Sequence, residues 1–378
     1  MSVSSKKTLS ILIVVFLIVG VIVGYFTSSL TVSTTTVTIV RTETKTITAT
    51  SPIITPTTPV TIPTTVPGPK AWRLGTTEAG SVGYAVGSLI ADVIRKSVPG
   101  IDISVYPVGG WPVNIKEFAA GNLEVAYTDP TSMISAMNRE APFDTLPSGA
   151  VTPIHTIHVY TNTFHIATTP ELKEKYGLNS WRDLNGRKIA LLTAKWASHA
   201  WYMKVFSLIG VKPTHVEIDF ALQGDALKRE DVVAIGIWTG AGVPAPQAAE
   251  ILAKMKLTVI NPLPEDIDKI TKAKYPFSWV PDPFGTGVKE IFGLILVGGW
   301  HTHPKVIPEE AVYLMIKGMI NAKDELKAKH AYFSEFAKDP IGFQVKAISL
   351  WPDLPVHPGL AKILKEHGAW KDEWKIAV

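Results

Sequence analysis

The stretch "IDISVYPVGGWPVNIKEFAAGNLEVAYTD", residues 101–129, decides how the chain folds. Its first eight residues alternate apolar and polar, which is the period of a β-strand. Gly109, Gly110 and Trp111 then turn the chain, and Pro112 suits a first helical position. "VNIKEFAAGN" makes a short helix closed by Gly121, and "LEVAYTD" (123–129) is the next strand. Strand, glycine turn, helix and strand make the βα unit that builds an open parallel sheet.

The same unit stands on either side. Upstream, a short strand ends near Gly75 and enters the glycine-rich loop "GTTEAGSVGY" (75–84). Ser81 is placed to cap a helix in which Val82, Val86, Leu89, Val93 and Ile94 recur at helical spacing until Pro99-Gly100. Downstream the pattern restarts with the loop and strand "LNGRKIALL" (184–192) and a helix over "ASHAWYMKVFSLIGV" (197–211) with a glycine stop. The buried strand "DVVAIGIW" (231–238) follows, then a loop and helix in "TGAGVPAPQAAEILAKM" (239–255). Two long apolar stretches flank this middle part, "HTIHVYTNTFHIAT" (155–168) and "KEIFGLILVGG" (289–299). They read as the crossings between two lobes, a discontinuous one (70–160 and 295–378) and a continuous one (161–294). The expected fold is α/β and two-lobed, with a hinge and an interlobe cleft.

The N-terminus differs. Lys6 and Lys7 precede an uncharged run, Leu9 to Phe26, and no charge occurs between Lys7 and Arg41. Such a run nearly spans a hydrocarbon core of about 30 Å, with the lysines on the cytoplasmic side. A cleaved leader would need a small-residue site after a shorter core, and "GYFTSSL" is a poor one. Residues 1–30 are therefore expected to be a retained membrane anchor. Residues 31–69 are expected to be a disordered stalk, since 16 of the 36 residues in 31–66 are Thr and four prolines are spread among them. The chain has no cysteine, so disulfides, thiol chemistry and Cys-ligated metals are excluded. A net charge of +4 without a basic, aromatic-interleaved stripe gives no case for nucleic acid.

"GTTEAGSVGY" lacks the Lys of a phosphate-binding P-loop and the spacing of a dinucleotide fingerprint. What remains is glycines that admit a ligand to the backbone, a helix N-terminus, and the hydroxyls of Thr76, Thr77, Ser81 and Tyr84. One such loop alone is more simply a strand-to-helix turn. The feature recurs in "GGWPVN" (109–114), "TDP" (128–130) and "WTGAGVP" (238–244). Polar loops at the carboxyl ends of strands describe a ligand cleft. His301 and His303, followed by Pro304, read as a solvent-exposed pair and not a metal site. His357 reads as a turn residue ahead of a helix, and Glu309-Glu310 as acids complementing a helix start.

Together these motifs resemble the TAXI-type extracytoplasmic solute-binding proteins of TRAP transporters. The resemblance runs from about Trp72 to Trp370 and rests on "LGTTEAGSVGYAVGSLIADVI", "GGWPVNIKEFAAGNLEVAYTD", "LNGRKIAL", "GAGVPAPQAAEI" and "PVHPGLAKILKEHG". It implies a type II periplasmic-binding-protein-like fold closing on a small organic anion, such as a dicarboxylate, a glutamate-like acid or a keto acid. Delivery would be to a TRAP-type permease, with no catalysis, cofactor or metal. On this reading Thr76, Thr77, Ser81, Gly83 and Tyr84 hold a ligand carboxylate. Gly110, Trp111, Asn114 and Asp129 line the same lobe, and Lys195, Ser198, His199 and Trp238 face them from the other. One departure matters: where similar proteins carry a Gly-Ser-Gly-Thr type loop, this chain has "LTAKWASH" (192–199). Lys195 there is either a point charge for a carboxylate or a solvated surface lysine. Trp111, Trp196 and Trp238 imply a more aromatic pocket, although each alone would be ordinary packing. The rival readings are the receptor of an ATP-driven importer, an extracellular hydrolase, and a surface scaffold. No G-x-S-x-G or H-E-x-x-H motif supports the hydrolase.

Overall fold

The computed structural model describes residues 70–193 and 196–378. The apolar run 9–26, the Thr/Pro-rich segment and Lys195 lie outside the described residues. Among the described residues, no helix is long and apolar enough to cross a membrane.

Among the described residues, eleven strands form one sheet: β1 (Lys70–Thr77), β2 (Ile101–Gly109), β3 (Val125–Thr128), β4 (Ile157–Thr168), β5 (Lys188–Ala190), β6 (Thr214–His215), β7 (Ala234–Gly240), β8 (Val243–Pro244), β9 (Thr258–Ile260), β10 (Phe277–Pro281) and β11 (Glu290–His301). The main order is β2-β1-β3-β11-β4-β7-β5-β6, with β10 on β11, β8 on β7 and β9 on β4. β1 runs parallel to β2 and β3, and β5 runs parallel to β6 and β7. Helix Val82–Ser97 follows β1, helix Trp111–Ala119 follows β2, and helix Pro130–Met137 follows β3. These are the βα units legible in residues 75–129.

β4 and β11, both 12 residues long, pair antiparallel along Leu294–Trp300. The end of β11 pairs with β3, and β4 pairs with β7 over Asn162–Ala167, so the two long strands join the β1–β3 part of the sheet to the β5–β7 part. Their register shifts at Gly298/Gly299, where a side chain on Gly299 would strike the Ile157 carbonyl. β4 is buried at every position, including His158, Thr161, Asn162, Thr163 and His165. Its backbone is satisfied partly by side chains from the C-terminal helices. The Gln344 amide accepts from His158 N (2.9 Å) and donates to His158 O (2.7 Å), replacing a neighbouring strand. Glu335 Oε2 accepts from Thr161 N at 2.8 Å.

The core packs helix 82–97 (Val86, Ile90, Ile94) on Leu74 and Ile103, with helix Glu309–Asn321 behind it. A second apolar group, including Leu227, Ile235, Ile237 and Val259, supports β7 and β9. Each such side chain contributes roughly 1.5–3 kcal/mol on burial.

Two expectations are corrected. His301 is not solvent-exposed. β11 continues through it, pairing His301 with Ala126, so the ring is buried at 3% exposure with Nδ1 3.1 Å from the Ile154 carbonyl. Residues 238–244 are not a loop leading into a helix. Thr239 and Gly240 stay in β7, and Ala241 and Gly242, with φ of 49° and 81°, turn the chain back as a hairpin into β8. His357 does cap the helix Pro358–Glu366, with Nδ1 accepting from Gly359 N at 3.2 Å.

Candidate ligand-binding cavity

Four helices begin at one cavity. Ser81 caps helix 82–97. Its Oγ accepts from Tyr84 N (3.3 Å), donates to Glu78 O (2.5 Å) and lies 2.6 Å from Thr77 Oγ1. With the Ser81 proton directed at Glu78, Thr77 donates to Ser81. A side chain on Gly83 would strike Thr77 Oγ1, so glycine there lets the hydroxyl pair sit against the first helical turn. The other three starts are Trp111 after Gly110, Ala197 and Ser198 after Trp196, and Gln247 in helix Pro246–Lys254 after Ala245. None of these three has a side chain capping it. First-turn N–H groups have no partner within their own helix. Each helix start also carries about half a positive charge.

The opposite wall comes from the sheet and the C-terminal segment: Tyr160, Asn162 and Phe164 of β4, Trp238 of β7, Leu296 of β11, and Tyr332. The empty space is about 590 Å³, its mouth included. Phe164 stacks on Trp238 (ring centroids 6.2 Å), Trp196 lies 6.1 Å from Trp238, and Tyr160 lies 4.9 Å from Tyr332. Tyr332 can sit there because Gly240 is bare; a side chain on Gly240 would enter its ring. Four polar atoms of the lining have no partner among the described residues: Asn162 Oδ1, Ser198 Oγ, Gln247 Oε1 and the Tyr332 hydroxyl. Asn162, Ser198 and Tyr332 are 5%, 2% and 3% exposed. An unpaired buried polar atom costs about 1–3 kcal/mol, and four of them gather on this lining. Burial pushes the Tyr160 phenol up to about 12 and raises that of Tyr332, so both stay protonated. Among the described lining residues there is no Asp, Glu, Lys, Arg or His.

Of the residues singled out in the sequence, Thr77, Ser81, Gly83, Trp111, Ser198 and Trp238 line this cavity. The others do not. Thr76 is buried with its hydroxyl on the Tyr106 carbonyl (3.2 Å), one residue out of phase with Thr77. Tyr84 sits farther along the helix, and Gly110 is an N-cap. Asn114 donates to the Tyr127 carbonyl (2.7 Å), tying its helix to β3. Asp129 caps helix 130–137, accepting from Ser132 N (3.0 Å) and from the Ser132 hydroxyl, and burial raises its pKa to about 6 against those bonds. His199 turns to His215, with ring centroids 4.3 Å apart, and burial holds its pKa down. Tyr160, Asn162, Phe164, Gln247, Leu296 and Tyr332 were not foreseen. The run Tyr160-Thr-Asn-Thr inside a buried strand was the available signal; Tyr332 had none. Among the described residues, no group of three His, Cys, Asp or Glu side chains is placed to hold a metal.

A larger, shallower groove of about 1460 Å³ is lined by Thr131, Glu140, Trp201, Lys204, Tyr275 and Trp351, among others. Lys204 there is bonded to Glu140 and to Ser135 Oγ (2.8 Å).

A family model described as the NMT1-like family matches residues 74–368, more than half of the chain. The chain belongs to the NMT1-like family. The matched span contains every described residue that lines the cavity. Comparison with curated proteins finds no match. Among solved structures, the chain is similar to the periplasmic aliphatic sulphonate binding protein SsuA from Escherichia coli, with 14% identity over 82% of this chain and 96% of that one, at a TM-score of 0.41. It is also similar to the periplasmic binding protein BugD, with 13% identity, 80% and 99% coverage and a TM-score of 0.44. A third is MatC from Rhodopseudomonas palustris with bound malate, with 13% identity, 74% and 97% coverage and a TM-score of 0.42.

Proposed function

We propose that this NMT1-like protein is an extracytoplasmic solute-binding receptor that captures a small organic anion and delivers it to a membrane transporter. The observation that carries the reading is the convergence of four helix starts, three without a capping side chain, on a cavity where four polar atoms lack partners among the described residues. Helix N-termini favour anions through free N–H groups and the helix dipole.

The motif resemblance supports a TAXI-type receptor serving a TRAP permease. An ATP-driven importer is the alternative, and the transporter genes beside this one distinguish the two. The lobes would be 70–160 with 295–378, and 161–294, with β4 and β11 as the hinge. Both long strands continue from one part of the sheet into the other, which is what a hinge requires. Lys6, Lys7 and the uncharged run after them support an N-terminal anchor holding the binding domain outside the membrane, on a stalk of residues 31–69.

A thermal-shift screen over carboxylic acids and amino acids tests the reading. An acid present at 100 times its dissociation constant adds about 2.7 kcal/mol of stability. Solution scattering with that acid should show a smaller radius if the lobes close. If no acid stabilises the protein, the receptor reading fails.

A further inference from the structure

We infer that the ligand is a small acid with a single anionic group on a flat, unsaturated or aromatic body. This rests on the receptor reading and narrows it. The first support is charge. The described lining offers an anion only helix starts and neutral donors, with N–H groups at Val82 and Gly83 on one side and at Ala197 and Ser198 on the other. That suits one carboxylate. A second carboxylate on the same small body would lie against Phe164, Trp238 and Leu296, and a charge buried on an apolar wall is strongly disfavoured.

The second support is shape. Six rings face the cavity: Trp111, Tyr160, Phe164, Trp196, Trp238 and Tyr332. They form two sets. Trp238 contacts both Phe164 and Trp196, while Tyr160 contacts Tyr332. Walls of this kind reward a flat body through offset or edge-to-face contacts. The third support is the neutral polar atoms. Asn162 Oδ1 and Gln247 Oε1 are unpartnered acceptors, and the Ser198 and Tyr332 hydroxyls are unpartnered too. They match a hydroxyl or N–H carried on that body. The implied class is the hydroxylated or heteroaromatic monocarboxylates, not the short dicarboxylates that the motif resemblance implies.

Calorimetry on the full chain tests this with stated probes: phenylacetate, 4-hydroxyphenylacetate and indole-3-acetate against succinate, glutarate and glutamate, and phenylacetamide as an uncharged match. The expected result is an aromatic monocarboxylate binding at least tenfold tighter than any diacid, with the amide at least tenfold weaker than its acid. Trp238→Ala should weaken the aromatic acid at least tenfold, and Trp238→Phe should keep most of the affinity at an unchanged melting temperature. A diacid or glutamate binding tighter than every aromatic monoacid overturns the inference and leaves the receptor reading standing. Binding of none of these acids overturns both.

Discussion

Strands β1 and β3 lie side by side and parallel, each runs into a helix, and the two helix starts are built in opposite ways. After β3 the cap is a carboxylate: Asp129, 1% exposed, takes the Ser132 N–H and hydroxyl and complements the dipole from within. After β1 the cap is a neutral hydroxyl, Ser81, at the edge of the cavity, with Gly83 behind it. One helix start carries its own anion and the other carries only donors. An incoming anion therefore has a place at the first strand's end and none at the third's. The same strand–turn–helix unit serves as framework in one case and, on the proposal above, as ligand site in the other.

Importing the β3 arrangement into β1 should give the largest effect. Ser81→Asp places a carboxylate where the ligand's would lie, and acid binding should fall about a hundredfold or more. Asp caps as well as Ser, so the melting temperature should hold. Calorimetry showing undiminished affinity would separate Ser81 from the anion. Next, Gly240→Ala should push the Tyr332 ring aside. Overpacking of this kind costs about 1–3 kcal/mol in chemical denaturation and should also weaken binding. Asp129→Ala should cost about 1–2 kcal/mol through the lost cap while leaving affinity unchanged, the reverse of Ser81→Asp.

The smallest effect is in the pH dependence. Asp129 keeps its proton in the fold up to about pH 6, whereas an unfolded Asp loses it near 3.9. Its contribution to stability therefore falls as pH rises through that window. His155, His165 and His357, held down at about 4 by burial, act oppositely. The unfolded chain takes up their protons below about pH 6.5 and the fold does not, so stability falls as pH drops. The histidines outnumber the aspartate, so melting temperature should rise from pH 5 to 7. Asp129→Asn should make that rise slightly steeper; an unchanged rise would mean the Asp129 carboxylate is already charged in the fold over that range.

The βα units were legible because their signals are local. Ser81 caps, Gly210 stops its helix in the left-handed conformation, and Pro112 sits in a first turn. The helix-start residues after Gly80 and Gly110 were legible for the same reason, while Gln247 was not. Whether a polar residue near a strand end faces the ligand depends on parity and register. Thr76 and Thr77 differ by one position and face opposite ways. Ser81 and Asp129 both read as cleft residues until the packing separates them. Tyr332 reaches the cavity only by packing on Gly240, a contact with no local trace, and His301 is buried because β11 pairs onward with β3.

Backbone amide shift mapping with the tightest acid from the screen tests the central claim most directly. At saturation, the resonances of Val82, Gly83, Ala197 and Ser198 should move together, while Ser132 beneath its own carboxylate and Lys204 in the larger groove should stay in place. Shifts confined to the groove around Thr131, Lys204 and Trp351, with those four amides unmoved, would contradict the account.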